Sequence, residues 1–387
     1  MEWTSYELGQ LLPYEQPTPY IVESAEYNDN YKTPVLTAGK SFILGYTNET
    51  AGIFYQLPVI IFDDFTTATQ YVNFPFKVKS SAMKILHINT DLVLPKYIFY
   101  RMQIIPFDHS THKRYWIQQY SKIKVGVPPL PEQERIVSRI EELFSQLDAG
   151  VKTLKKTKAQ LAVYRQAVLK EAFEGRLTDS NPEKIVRLGD YIETPRYGSS
   201  KKCSYDNGSG RTAVYRIPNI DHISGRISHD DIKYAQFTES ELNGIRLRQS
   251  DILIIRSNGS VSLVGRAAMV CDADITGTFA GYLMRLRIME PESLLPKFLL
   301  LFLQSHPARI YIENKAKSTS GVHNINSTEI SDLQIPLYDP DTQHAIVEAI
   351  ESRLSVCDSI EQTVDTALQQ AEAMRQSILK KAFEGAL

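Results

Sequence analysis

The stretch QERIVSRIEELFSQLDAGVKTLKKTKAQLAVYRQAVLKEAFEGRL, residues 133–177, decides the architecture because it occurs twice. Residues 343–387, QHAIVEAIESRLSVCDSIEQTVDTALQQAEAMRQSILKKAFEGAL, align on it without a gap at an offset of 210 (133 to 343). Gln133/Gln343, Ile136/Ile346, Val137/Val347, Arg165/Arg375 and Gln166/Gln376 are identical, as is the AFEG near each end. Self-similarity at a fixed spacing marks a duplicated structural unit. Fainter likeness extends upstream: YSKIKV (120–125) falls opposite ISDLQI (330–335), and LPKY (94–97) resembles LPKF (295–298). Each half also opens on a Leu-Gly pair, Leu8-Gly9 and Leu188-Gly189. The order is globule, helix, globule, helix, divided at 1–125, 126–177, 178–335 and 336–387.

Both repeated stretches read as long helices. Val137, Ile140, Phe144, Leu147, Val151, Leu154, Lys158, Leu161, Arg165, Val168 and Ala172 keep a 3,4 spacing, and Val347, Ile350, Leu354, Cys357, Glu361, Val364, Leu368, Ala371, Arg375, Ile378 and Ala382 repeat it. Pro131 and Gly175 mark the ends of the first helix, Pro340 and Gly385 those of the second. About 42 helical residues would extend roughly 63 Å, so the first helix is expected to hold the globules tens of ångströms apart. The natural partner for the second seam is the first, run antiparallel about a pseudo-twofold axis, with Lys152, Lys155, Lys156 and Lys158 facing Glu361 and Asp365. The alternative is that each helix joins a separate bundle with its own globule. Ile136, Leu143, Val163 and Phe173 fall outside the seam and are expected to need covering by partners, leaving the isolated chain poorly soluble.

The globules read as mixed α/β. PVIIFDDF (58–65), DILIIRS (251–257) and GYLMRLRIM (281–289) have the β-branched and aromatic content of strands, while LPKYIFYRMQ and LPKFLLLFLQS open on proline like helices. The fold class is therefore α+β: two α/β globular domains separated by two long antiparallel helices in a coiled coil. No run of eighteen apolar residues and no basic-then-apolar leader is present, so a cytoplasmic chain with no membrane partner is expected. Cys203, Cys271 and Cys357 lack disulfide or zinc spacing and are expected to be buried thiols. Net charge is −2, with 11 basic against 11 acidic residues in 1–125 and 19 against 18 in 178–335. Near-neutral segments can read bases but supply little non-specific phosphate affinity.

Over essentially its whole length the sequence resembles the specificity subunits of type I restriction-modification systems. The resemblance rests on the duplicated signature PPLPEQERIVSRIEELFSQLD running to LKEAFEGRL, each copy following a globule. It implies that each globule is a target recognition domain for one half of a bipartite double-stranded DNA site, read through the major groove, with the helices as spacers. It further implies that two modification (adenine methyltransferase) subunits and two restriction subunits are partners. No cofactor is expected in this chain; S-adenosylmethionine, ATP and Mg²⁺ would belong to those partners, and this chain would not be an enzyme. The second copy departs from the pattern, with PLYDPDTQHAIV in place of PPLPEQERIV, which puts its docking surface in doubt. A bipartite DNA-binding regulator using the helices as a ruler is the other reading, distinguished by the absence of methylase partners.

Several fragments mislead. TAGKS (37–41) ends like a phosphate-binding loop, but Pro34 stands where glycine is needed. NFPF (73–76) has one proline too few for an amino-methyltransferase tetrapeptide, and Asp63-Asp64 lacks further metal-holding acids, so a turn or base-reading role is expected. The DNA-facing candidates rest on chemistry. Arg196, Lys201, Lys202, Arg211 and Arg216 lie in a Gly/Ser-rich stretch that could follow a backbone while arginine reaches guanine edges. Arg256, Asn258 and Ser260 end a strand, and Lys315, Lys317, Ser320, His323 and Asn324 form a second polar loop. In the first globule Thr37, Lys40, Tyr46, Asn48, Thr66 and Thr67 offer hydroxyls, an amide and a charge, flanked by Lys77, Lys79 and Lys84.

Overall fold

The computed structural model describes residues 3–37, 41–107, 114–319 and 321–386. The chain divides into two compact units, residues 1–155 with 365–387, and residues 156–364. Along the first half come β1 (Thr4–Glu7), α1 (Leu8–Leu11), β2 (Tyr14–Glu15), β3 (Thr33–Leu36), β4 (Ile43–Thr47) and β5 (Val59–Asp63). β6 (Thr69–Val72), β7 (Lys77–Val78), β8 (Met83–His87), α2 (Pro95–Met102), β9 (Lys124–Val127) and α3 (Leu130–Phe173) follow. The second half opens with β10 (Lys184–Arg187), β11 (Arg196–Tyr197), β12 (Arg211–Tyr215), β13 (Ile220–Asp221), β14 (Arg226–Ile227), β15 (Lys233–Gln236) and α4 (Glu239–Asn243). Next are β16 (Ile252–Ile255), β17 (Ser257–Asn258), β18 (Ala267–Met269), β19 (Thr278–Phe279), β20 (Leu283–Leu286), α5 (Pro296–Leu303) and α6 (His306–Lys315). β21 (Lys317–Thr319), β22 (Val322–Asn324), α7 (Ser327–Ser331), β23 (Gln334–Leu337) and α8 (Pro340–Phe383) close the chain.

The two units share one topology. In the first, a sheet ordered β2-β8-β5-β6 stacks on one ordered β4-β3-β7; in the second, β11-β20-β16-β18 continues into β14 and β13 and stacks on β15-β12-β19. Both small sheets contain one parallel pair, Val35 opposite Lys77 and Val214 opposite Thr278. Each central strand is covered on both faces, which explains its unbroken apolar run. Along β5, Val59 and Ile61 enter the core between the sheets while Ile60 and Phe62 enter the core against the helices. Along β16, Leu253 and Ile255 take the first role and Ile252 and Ile254 the second. This period of two follows from the alternation of side chains across a strand.

Each globule is tied to its helices by matched devices. The first and last globule strands pair antiparallel, Thr4 opposite Val127 and Lys184 opposite Leu337. Gln133, fully buried, accepts from the Leu94 N–H (2.8 Å) and donates to the carbonyls of Leu92 (3.0 Å) and Pro128 (2.8 Å). Gln343 does the same with the Leu295 N–H (2.9 Å) and the carbonyls of Ser293 (2.9 Å) and Tyr338 (2.8 Å). The Leu-Gly pairs are explained by close approach: a Cβ on Gly9 would lie 3.3 Å from Ser121, and one on Gly189 2.9 Å from Ser331. Two residues past the end of α3, Gly175, with φ of +76°, makes a left-handed closing turn, and Gly385 (+74°) repeats it after α8.

Within each unit the helix segments run antiparallel. In the second unit Arg165 bonds Asp358 (2.6 Å) and Glu361 (3.0 Å), and Lys158 lies 3.5 Å from Glu361. In the first, Arg375 pairs with Asp148 and covers the Phe144 ring at 4.3 Å. These are equivalent pairs, since Asp148 and Arg165 become Asp358 and Arg375 after the 210-residue step. Phe383 packs on Tyr97 of α2 and Phe173 on Phe298 and Phe302 of α5. Helix ends thus press on their globules as well as on each other, which corrects one expectation: Ile136 and Phe173 are buried, whereas Val163 is 71% exposed. The cysteines need the same correction, since only Cys357 is buried, Cys203 being intermediate and Cys271 exposed.

Candidate nucleic-acid interface

Three loops that are far apart in the second half of the sequence meet at the end of β16. The strand leaves the sheet at Arg256, whose N–H donates to the Tyr282 carbonyl (2.9 Å). Around it opens a cleft of about 580 Å³ lined by residues of the 199–203, 216–218 and 280–282 segments together with Lys233, Arg256 and Ser257. Lys201, Arg216, Lys233 and Arg256 are its charged lining, and all four are cations. Exposed Tyr197, Tyr205 and Tyr282 lie among them, the Lys233 ammonium standing 4.6 Å from the Tyr205 ring centre. Gly198 is required here because a Cβ would fall 2.2 Å from the Phe279 carbonyl oxygen.

The cleft's charge is partly balanced at its rim. Lys201 bonds Glu241 (2.7 Å), and that hydrogen bond, with the Thr238 N–H, holds the Glu241 carboxyl down at about 2. Arg216 bonds Asp231 (2.9 Å), whose carboxyl is lowered first by the Tyr205 hydroxyl and then by Arg216. Exposed pairs of this kind contribute little to stability and exchange readily for another anion. Beside the cleft β17 pairs with β22, placing Asn258 opposite His323 and Ser257 opposite Asn324. Ser260 donates its N–H to the Asn258 side chain (2.8 Å). Cations, amides and tyrosines on one surface suit phosphates and base edges together.

Other candidates of this unit lie apart from the cleft lining. Arg211 pairs with Asp206 (3.0 Å), Lys202 is exposed, and Lys315 covers the Tyr311 ring at 5.8 Å. Arg196 stands opposite Arg285 on β20. Ser320 and the Lys317 side chain lie outside the described residues. Sequence reading missed Lys233 and the tyrosines, whose facing depends on strand register: Lys233 reaches the cleft because it pairs with Val214. It also missed an arginine anchor in which Arg287 clasps Asp251 with two bonds of 2.7 Å while Arg285 and Arg287 both donate to the Arg246 carbonyl.

In the first unit two lysine candidates are corrected. Lys77 is buried, donating to the Ala51 carbonyl and to Glu49, both at 2.7 Å; Lys84 is fully buried 3.4 Å from Asp64. Each neutralises an internal acid, so neither is presented to a ligand. Asp63 holds a turn, accepting from the Phe65 N–H (2.9 Å) and the Thr66 hydroxyl (2.7 Å), and Thr67 occupies the left-handed position (φ +59°). Lys79 and Asn48 are exposed. Tyr46 lines a cavity of about 500 Å³ with Lys32, Ile43, Tyr55 and Phe74. Thr37 donates its N–H to the Phe42 carbonyl (2.9 Å), and Lys40 lies outside the described residues.

A module used twice on a duplicated helix, with a cationic and aromatic cleft at a strand end, is the build of a modular DNA-reading scaffold. A family model described as the type I restriction modification DNA specificity domain matches residues 1–161. The specificity subunit of the type I restriction enzyme EcoR124I/EcoR124II of Escherichia coli is 32% identical over 385 residues, covering 93% of this chain and 88% of that one. The EcoKI specificity subunit of Escherichia coli strain K12 is 30% identical over 277 residues, covering 69% of this chain and 58% of that one. The chain belongs to the specificity subunits of type I restriction-modification systems. A chain from a solved structure of type I restriction-modification complex assembly and conformational transition shares the fold: TM-score 0.72 at 18% identity, covering 100% of this chain and 98% of that one. In this family the specificity chain is non-catalytic; it recognises DNA within an assembly of restriction-modification subunits. Among the described residues no His, Cys, Asp and Glu group could hold a metal, and no helix is long and apolar enough to cross a membrane.

Proposed function

We infer that residues 1–125 and 178–335 each read one half of a bipartite double-stranded DNA target, and that the helical segments 126–177 and 336–387 set the spacer between the halves. Two adenine methyltransferase subunits dock around the helices and two restriction subunits join them, in the cytoplasm where the DNA lies. S-adenosylmethionine, ATP and Mg²⁺ are theirs. The observation that carries this reading is the repetition of one topology, with the same Gln tying each copy to its helix, the same Leu-Gly close approach within each globule and the same Arg–Asp pair between helix segments. In the second copy Lys201, Arg216, Arg256, Asn258, His323 and Asn324 form the reading surface; in the first, Tyr46, Asn48, Thr66 and Lys79 are the accessible candidates. The test exchanges residues 1–125 for the matching segment of a relative and maps methylated adenines in cells. One half of the target should change while the other stays; a change in both halves together would overturn the modular reading.

A further inference from the structure

The cations of the second unit's cleft are held in two ways, Lys233 and Arg256 each standing over a tyrosine ring. Lys201 and Arg216 lean on carboxylates. Arg256 is instead fixed by groups that leave its charge intact: its Nη1 donates to the Gly281 carbonyl (3.0 Å), and its guanidinium covers the Tyr197 ring at 4.4 Å. The Tyr197 hydroxyl in turn accepts the Ser327 N–H (3.0 Å), so the platform itself is tethered. A guanidinium is a planar fork that stacks on aromatic faces and matches the O6 and N7 acceptors of guanine. Fixing it beforehand removes the cost of ordering a long side chain on binding.

Strand register identifies its counterpart in the first unit. Asp64 follows β5 as Arg256 follows β16, and its N–H donates to the Ala82 carbonyl (3.2 Å) as that of Arg256 does to Tyr282 (2.9 Å). Asp64, however, is buried, accepting the Trp116 N–H (2.8 Å) beside Lys84 (3.4 Å). That position is closed and offers no donor. Resting on the DNA-reading assignment above, we propose that Arg256 is a guanine-reading, specificity-determining residue for the second half-site, and that the first module has no guanine reader at the equivalent place.

The test uses the full chain assembled with its modification subunits. Methylated adenines are mapped in cells carrying wild type, Arg256→Lys or Arg256→Gln. Binding is then measured on duplexes in which each guanine of the target is replaced in turn by 7-deazaguanine, which lacks the N7 acceptor. In wild type, one position of the second half-site should weaken binding by about 5- to 150-fold. Both variants should lose that sensitivity and relax the methylated motif at that position alone. Tyr197→Leu, which keeps the arginine but removes its platform, should shrink the discrimination. If the Arg256 variants weaken all sequences equally, with the motif intact and a salt slope smaller by about one, the residue is a phosphate contact and the proposal fails while the cleft reading stands. Absence of any N7-sensitive guanine in the second half-site of wild type also overturns it, even if a variant misfolds. If Lys201→Gln with Lys233→Gln leaves affinity and salt slope unchanged, the cleft itself is not the DNA surface.

Discussion

Replacing Gln133 by leucine removes three hydrogen bonds, one buried and two partly buried, at the junction of helix α3 with its globule while nearly conserving side-chain volume. The Leu94 N–H and the carbonyls of Leu92 and Pro128 lose their partner in a site where Gln133 has no exposed surface. A buried polar group left unpaired costs about 1–3 kcal/mol. Even the lower figure, three times over, gives roughly 3 kcal/mol, set against a small gain from burying a leucine. With a urea slope of about 2–3 kcal/mol per molar, the unfolding midpoint should fall by about 1 M. The assay is built into the sequence: of the two tryptophans, Trp3 and Trp116, both belong to the first unit. Tryptophan fluorescence therefore follows that unit, while far-UV circular dichroism follows both. Gln343→Leu should lower the circular dichroism midpoint with much less effect on the fluorescence midpoint. A fluorescence midpoint for Gln133→Leu within about 0.3 M of wild type would refute the reasoning, since it would mean that the three groups find other partners.

Lys84→Met leaves Asp64 buried without its cation and should cost about 3–5 kcal/mol, while the double variant with Asp64→Asn should recover part of that loss in a thermal melt. Arg165→Leu should cost about 1 kcal/mol, and the difference from wild type should narrow at high salt, because both of its acids are partly exposed. The Glu49 carboxyl is held below its usual 4.5, first by the hydrogen bond from Lys77 and then by the N–H groups of Ser24 and Glu23. A lowered pKa means stability present in full above the unfolded value and lost as pH falls through the folded one. Glu49→Gln should therefore flatten the acid limb of the first unit's stability profile below about pH 4.5, measured by tryptophan fluorescence. Neutralising Lys201 and Lys233 together should reduce the slope of log affinity against log salt by up to about 2.

How far the molecule could be read beforehand follows from what each feature depends on. The helices were legible because a 3,4 spacing is local and the two copies could be laid on one another. Gln133 stood out as an identity with Gln343, but its role did not, because its partner Leu94 is 39 positions away (133 to 94). The cleft was half legible: Lys201, Arg216 and Arg256 are of the right type in the right loops, whereas Lys233 looks like any polar residue of a strand until its pairing with Val214 is known. Lys77 and Lys84 misled because charge is visible in a sequence and a charge partner is not. Glu49 precedes Lys77 by 28 positions and Asp64 precedes Lys84 by 20, separations that mean nothing until β4 and β7 share a sheet through β3 and β5 pairs with β8.

The comparison of the two halves also separates what the scaffold must keep from what it can change. Residues that repeat at the 210 step sit where a helix meets a globule or its partner helix: Gln133 and Gln343 on buried carbonyls, Phe173 and Phe383 on the proline-led helices, and the Arg–Asp pairs. The glutamines and phenylalanines have several partners in a packed interior, so a change there leaves a void or an unpaired polar group, whereas the Arg–Asp pairs are partly exposed and join the helix segments. The residue just beyond the central strand is not repeated and meets a different environment in each unit. Asp64 and Arg256 take the same backbone bond in the two units, yet one turns inward to an ion pair and the other lines an open cleft. Loops at strand ends touch little of the core and can vary without loss of fold. Among the described residues the β13–β14 hairpin and the β17–β22–β21 sheet have no counterpart strands in the first unit, so the division shows in backbone as well as side chain.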